Sequence, residues 1–132
     1  MIKNKFRCLL ISNFTIDSLA GYLNNDQGFP EVESVAVTAM QIIPLLADKN
    51  AKYWKDKSDL VIVWTQPENV IAPFNQLINF QGANLEEIMD RVDEYSQLLL
   101  NLSQTQKVIF VPTWVHPAYD KGVGVLQMKT GV

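Results

Sequence analysis

Short apolar runs alternate along this chain with longer stretches in which apolar residues recur every three or four positions. The first run, Phe6-Arg7-Cys8-Leu9-Leu10-Ile11, is nearly continuous and stops at Ser12-Asn13. A run too short for a helix, and apolar without alternation, predicts a strand buried on both faces, as in a parallel sheet. Thr15 then stands where a helix cap belongs, ahead of Ile16, Leu19, Ala20 and Leu23 at helical spacing. Asn24 to Gly28 ends that helix and Pro30 prevents its resumption. Val32 to Val37 is rich in β-branched residues and predicts a second strand. Met40 to Ala47 has helical spacing but contains Pro44, so the helix either starts near Pro44 or is short and kinked.

The clearest strand is Asp59-Leu60-Val61-Ile62-Val63-Trp64, ending at Thr65-Gln66-Pro67-Glu68. A short helix comes next, with Pro73 in its first turn and Ile71, Phe74, Leu77 and Ile78 facing inward. Asn84, with Glu87 three residues on, resembles a capping box and opens the longest helix. Its apolar stripe runs from Leu85 through Ile88, Met89, Val92, Tyr95, Leu98 and Leu99 to Leu102, and Glu86, Asp90, Asp93 and Glu94 take the other side. Val108 to Val111 predicts a fourth strand, ending at Pro112-Thr113-Trp114.

The order β-α-β-α-β-α-α-β predicts right-handed crossovers and a parallel sheet in an α/β domain. The expected strand order is 2-1-3-4, the start of a flavodoxin-like sheet, where ligands sit at the carboxyl edge near the switch between strands 1 and 3. The chain has 132 residues, 48% of them hydrophobic and 19% charged, which fits one domain over residues 1–132.

Charge and cysteine content then narrow the classes. A net charge of −3 and scattered lysines argue against nucleic-acid binding. One cysteine, Cys8, and one histidine, His116, cannot make a disulfide or a Cys/His zinc site, so no metal and no cofactor are expected. The polar start, Met1 to Lys5, and the short apolar run after it predict neither a secretory signal nor a membrane span. The expected location is therefore reducing and cytoplasmic.

The strand ends present Ser12-Asn13, Thr38, Thr65-Gln66-Pro67-Glu68 and Thr113-Trp114-Val115-His116, flanked by the indoles of Trp64 and Trp114. Hydroxyls, amides and an indole face suit a small polar ligand such as a sugar or an acyl ester. As a catalytic set, Ser12 is the nucleophile, Asn13 an oxyanion donor and His116 the base. Thr38, Thr65, Gln66, Glu68, Trp64 and Trp114 are then the substrate-binding residues. Each has a plainer reading. Ser12 caps the helix or satisfies a loop amide, Asn13 shapes a turn, Glu68 caps the next helix or faces water, and His116 bonds to backbone. Nothing local brings Ser12 to His116, because strands 1 and 4 lie two sheet steps apart, about 10 Å. The acidic face from Glu86 to Glu94 reads as solvated surface. Lys121 to Gly124 lacks the flanking strand and helix of a phosphate loop.

The runs Leu10-Ile11-Ser12-Asn13-Phe14-Thr15, Val61 to Glu68 and Val111-Pro112-Thr113-Trp114-Val115 resemble the SGNH-hydrolase-like domain of bacterial polysaccharide and polyketide gene clusters. That domain often precedes a haloacid-dehalogenase-like domain in enzymes that load glyceryl groups onto carrier proteins. The resemblance implies a three-layer α/β/α fold with an SGNH-like parallel sheet, and an esterase or acyltransferase acting on an acylated sugar or carrier-bound acyl group. It gives Ser12 the place of the nucleophile. The chain departs from the family pattern elsewhere. Leu10-Ile11 stands for the Gly-Asp before the serine, and Thr38 to Gln41 contains no glycine. Asn69 is a displaced candidate for the asparagine after strand 3, and Thr113 stands where aspartate precedes the histidine by three. A complete domain of that kind continues past strand 4 through a further helix and strand, so the resemblance also implies a C-terminally truncated form. The segment from Val123 to Met128 would supply only part of that continuation. The alternative is a non-catalytic binding or assembly module of a larger biosynthetic protein, with a missing C-terminal domain or a homodimer covering an open sheet edge.

Overall fold

The computed structural model describes residues 5–28 and 30–115. Four strands form one all-parallel sheet: β1 (Phe6–Ser12), β2 (Val32–Thr38), β3 (Leu60–Trp64) and β4 (Ile109–Phe110). Their order is β2-β1-β3-β4, as the alternation of strands and helices predicts. Helices α1 (Asp17–Asn25), α2 (Ile42–Ala47), α3 (Lys52–Lys55), α4 (Pro67–Val70), α5 (Ala72–Ile78) and α6 (Leu85–Thr105) connect them. No helix among the described residues is long and apolar enough to cross a membrane.

The strand order decides how the layers fill. The step from β1 to β2 runs one way across the sheet, and the steps to β3 and then β4 run the other way. With right-handed crossovers, reversing direction puts the connecting helices on opposite faces. Accordingly, among the described residues, α1 packs alone on one face, where Cys8, Leu10, Ile16 and Ala20 form a buried cluster. The other face carries the larger core. There Leu9, Ile11, Val37, Val61 and Val63 meet Ile42 and Leu46 of α2 and Tyr95 and Leu102 of α6. Alternation along β1 splits its side chains between these clusters, which is why the run is apolar almost throughout. Toward β3 and β4 the described residues leave the α1 face partly open, with Trp64, Val108 and Phe110 exposed.

Local details refine the sequence expectations. Pro44 lies in the first turn of α2, where its missing N–H costs nothing, so the helix starts just before it. A single turn, α3, had no periodic signal; Trp54 Nε1 donates to the Asp48 carbonyl at 2.9 Å and ties it to α2. The expected Thr15 cap is not used, since Ile16 occupies the cap position of α1 without a side-chain bond. Asn84 does cap α6, accepting from the Glu86 amide at 2.9 Å. Helix α5 ends in a Schellman pair, Phe80 N to Leu77 O and Gln81 N to Gln76 O, which holds Phe80 at φ 57° in a place that usually goes to glycine. Strand β4 keeps two residues of the four expected.

At the amino edge, Asp59 links three strands. Its Oδ2 accepts from the Arg7 amide at 2.9 Å and its Oδ1 receives Lys107 Nζ at 3.2 Å. Lys107 is two residues before β4, so the buried carboxylate ties the approach to the last strand to β1 and β3.

Candidate functional site

Ser12 closes β1, opposite Thr38 of β2 and Trp64 of β3 in the ladder. It is fully buried. Its Oγ donates to the Phe14 carbonyl at 2.7 Å and accepts from the Phe14 amide at 2.9 Å. These bonds make the tight turn that leaves the strand. The hydroxyl is therefore committed to its own loop, on the α1 face of the sheet. Trp64 and Phe14 meet edge to face there, with ring centroids 5.6 Å apart.

Asn13 reaches across to the end of β3. Its Oδ1 accepts from the Gln66 amide at 2.9 Å, and its Nδ2 donates to the Gln66 carbonyl at 3.1 Å. The side chain thus pairs with β3 as a further rung of backbone would, and holds the two loops in register. Gln66 Oε1 in turn accepts from Asn69 Nδ2 at 3.0 Å. Thr38 is exposed at the end of β2, and the Ala39 amide after it donates to the Ser12 carbonyl at 2.8 Å. Glu68 is buried in the first turn of α4, not turned to water. His116 lies outside the described residues, as do Lys121 to Gly124 and Val123 to Met128.

A second centre lies on the opposite face. Thr65 Oγ1 accepts from Trp114 Nε1 at 2.9 Å and is hydrogen-bonded to Tyr95 Oη at 3.1 Å. The rings of Tyr95 and Trp114 stack, 5.2 Å between centroids and 15° between planes. Burial pushes the Tyr95 phenol above its usual value, with the Thr65 bond opposing the shift. Three residues far apart in sequence are locked together where β3, α6 and the segment after β4 converge. Tyr95 read as one more core position in a helical stripe, so sequence periodicity did not mark it.

Above this cluster an apolar cleft of about 530 Å³ opens. Helix length creates it. With 21 residues α6 is about 31 Å long, whereas the five residues of β3 span about 17 Å. Tyr95 meets Thr65 just past the end of β3, so Leu85 to Glu94 project beyond the carboxyl edge. Leu85, Ile88, Met89 and Val92 on that overhang face Pro67, Ile71 and Phe74. Trp114 and Val115 complete the lining. The volume lies within the range of small-molecule sites, about 300–1,000 Å³, and the cleft sits at the carboxyl edge on the β3–β4 side of the switch between β1 and β3. Of the expected binding residues, the structure brings Trp114 into the cleft with Thr65 beneath it. Pro67 connects the cleft to Gln66 and the Asn13 clasp, while Trp64 belongs to the other face. Among the described residues no group of three or more His, Cys, Asp or Glu side chains could hold a metal ion.

No family model matches the chain, and neither a curated protein nor a solved structure matches it.

Proposed function

We propose that this domain is a degenerate SGNH-hydrolase-like module that binds, and does not cleave, an acylated sugar or a carrier-bound acyl group at the carboxyl edge of its sheet. The observation that carries this reading is the division of the edge between two faces. The Ser12 hydroxyl is closed into its own turn on the α1 side, while the apolar cleft lies on the α6 side. A ligand in the cleft meets the indole of Trp114 and the walls of α5 and α6. A nucleophile would first have to break two short bonds, then reach across the strand ends. The half-buried Asn13 and the exposed Gln66, next to Pro67 in sequence, suit the polar part of such a ligand. The role fits a component of bacterial polysaccharide biosynthesis, and the buried lone thiol fits a reducing cytoplasm.

The test pairs turnover with binding. Purified protein is incubated with p-nitrophenyl acetate and separately titrated with acetylated glucose, followed by tryptophan emission. The expected result is saturable binding, retained in Ser12→Ala, with no hydrolysis above the buffer rate. Hydrolysis that disappears in Ser12→Ala would overturn the binding-only reading and restore the serine as nucleophile.

A further inference from the structure

Resting on that reading, we infer that the cleft over Trp114 is a site for a straight aliphatic acyl chain, and that the overhanging turns of α6 set the chain length accepted. Three features point to this ligand class. Along one wall Val92, Met89, Ile88 and Leu85 form a row about 10 Å long on the helix axis. A single acetyl group would leave most of that row in water. The far wall, with Ile71 and Phe74, is apolar too, so the space between the walls offers no partner to a heteroatom within the chain. The floor indole has one N–H donor, and Thr65 already holds it. A methylene chain satisfies this lining, whereas a hydroxylated ring would lose its hydrogen bonds to water there. Met89 is half-exposed at the lip, and its unbranched thioether can follow a flexible chain. Pro67 joins the cleft to the amide-bearing edge, which places a carbonyl or sugar head outside the apolar space.

The experiment is a calorimetric titration with 6-O-acylglucose esters of two to twelve carbons, each below its micelle concentration. The wild-type chain is compared with Met89→Trp, and both are run in parallel on a sedimentation-velocity cell. Affinity is expected to rise about fourfold for each methylene until the row is filled. In Met89→Trp the longer chains should lose about tenfold, because the indole occupies the room of one or two methylenes, and the rise in affinity should stop at a shorter chain than in the wild type. A flat series with the acetyl ester bound would overturn the chain site and leave the proposed function standing. No binding of any ester would overturn both. A chain-length dependence unchanged in Met89→Trp would move the chain elsewhere, and a wild-type dimer dispersed by that substitution would make the cleft an interface between copies.

Discussion

A single hydroxyl organises the floor of the cleft. Thr65 Oγ1 accepts from Trp114 and is hydrogen-bonded to Tyr95, and the residue is buried. Replacing it with the isosteric valine would strand an indole N–H and a phenol in an apolar setting, and an unsatisfied buried group costs about 1–3 kcal/mol. Thr65→Val should lower the unfolding free energy by about that amount in urea and shift Trp114 emission. A change no larger than a surface substitution gives would argue that water already serves these groups. At the same scale Ser12 was legible as the end of a strand, because the apolar run stops there. Of its readings, the one in which it satisfies a loop amide is met by the Phe14 amide; sequence could not choose it over the nucleophile, since an ST turn and a nucleophile elbow both put a serine after a strand.

At the scale of elements, α6 shapes the site by being longer than the sheet is deep. Its stripe was plain from periodicity, but periodicity says only which residues share a face. It cannot say that Leu85 to Val92 face a cleft while Tyr95 and Leu102 face the core. That depends on where along the helix the sheet ends. The overhang has no sheet beneath it, so its first turn relies on the cap. Asn84→Ala removes the acceptor of the Glu86 amide and should cost about 1 kcal/mol. Hydrogen exchange should then speed up in residues 85–90 and stay unchanged from Tyr95 onward. Uniform acceleration along the helix would show that the overhang does not open separately.

For the whole molecule, the two faces of the sheet carry titratable groups that burial holds neutral. Burial raises the Cys8 thiol from its usual 9.0 on the α1 face. On the α6 face it raises Tyr95 from 10.0. Each group is held protonated in the folded state beyond the pH at which the unfolded chain releases its proton. Their contributions are therefore whole below pH about 9 and fall away as pH climbs, from about 9 for Cys8 and about 10 for Tyr95. Denaturant midpoints should decline above pH 9, and Cys8→Ala should delay that decline toward pH 10. Equal declines in both proteins would place the alkaline loss elsewhere.

The amino-acid sequence by itself determined the strands, most of the helices, the parallel sheet and its 2-1-3-4 order. Those arise from local apolar runs, their spacing and the handedness of crossovers, all of which are carried by neighbouring residues. It also put the right segments at the carboxyl edge. Only the tertiary structure decided how that edge is divided. It turned Ser12 inward on one face and joined Thr65, Tyr95 and Trp114 on the other. It also opened the cleft by letting α6 run past the strands. The physical reason is distance along the chain: Thr65 and Trp114 are 49 residues apart, and no local pattern records which side chains meet across such a gap.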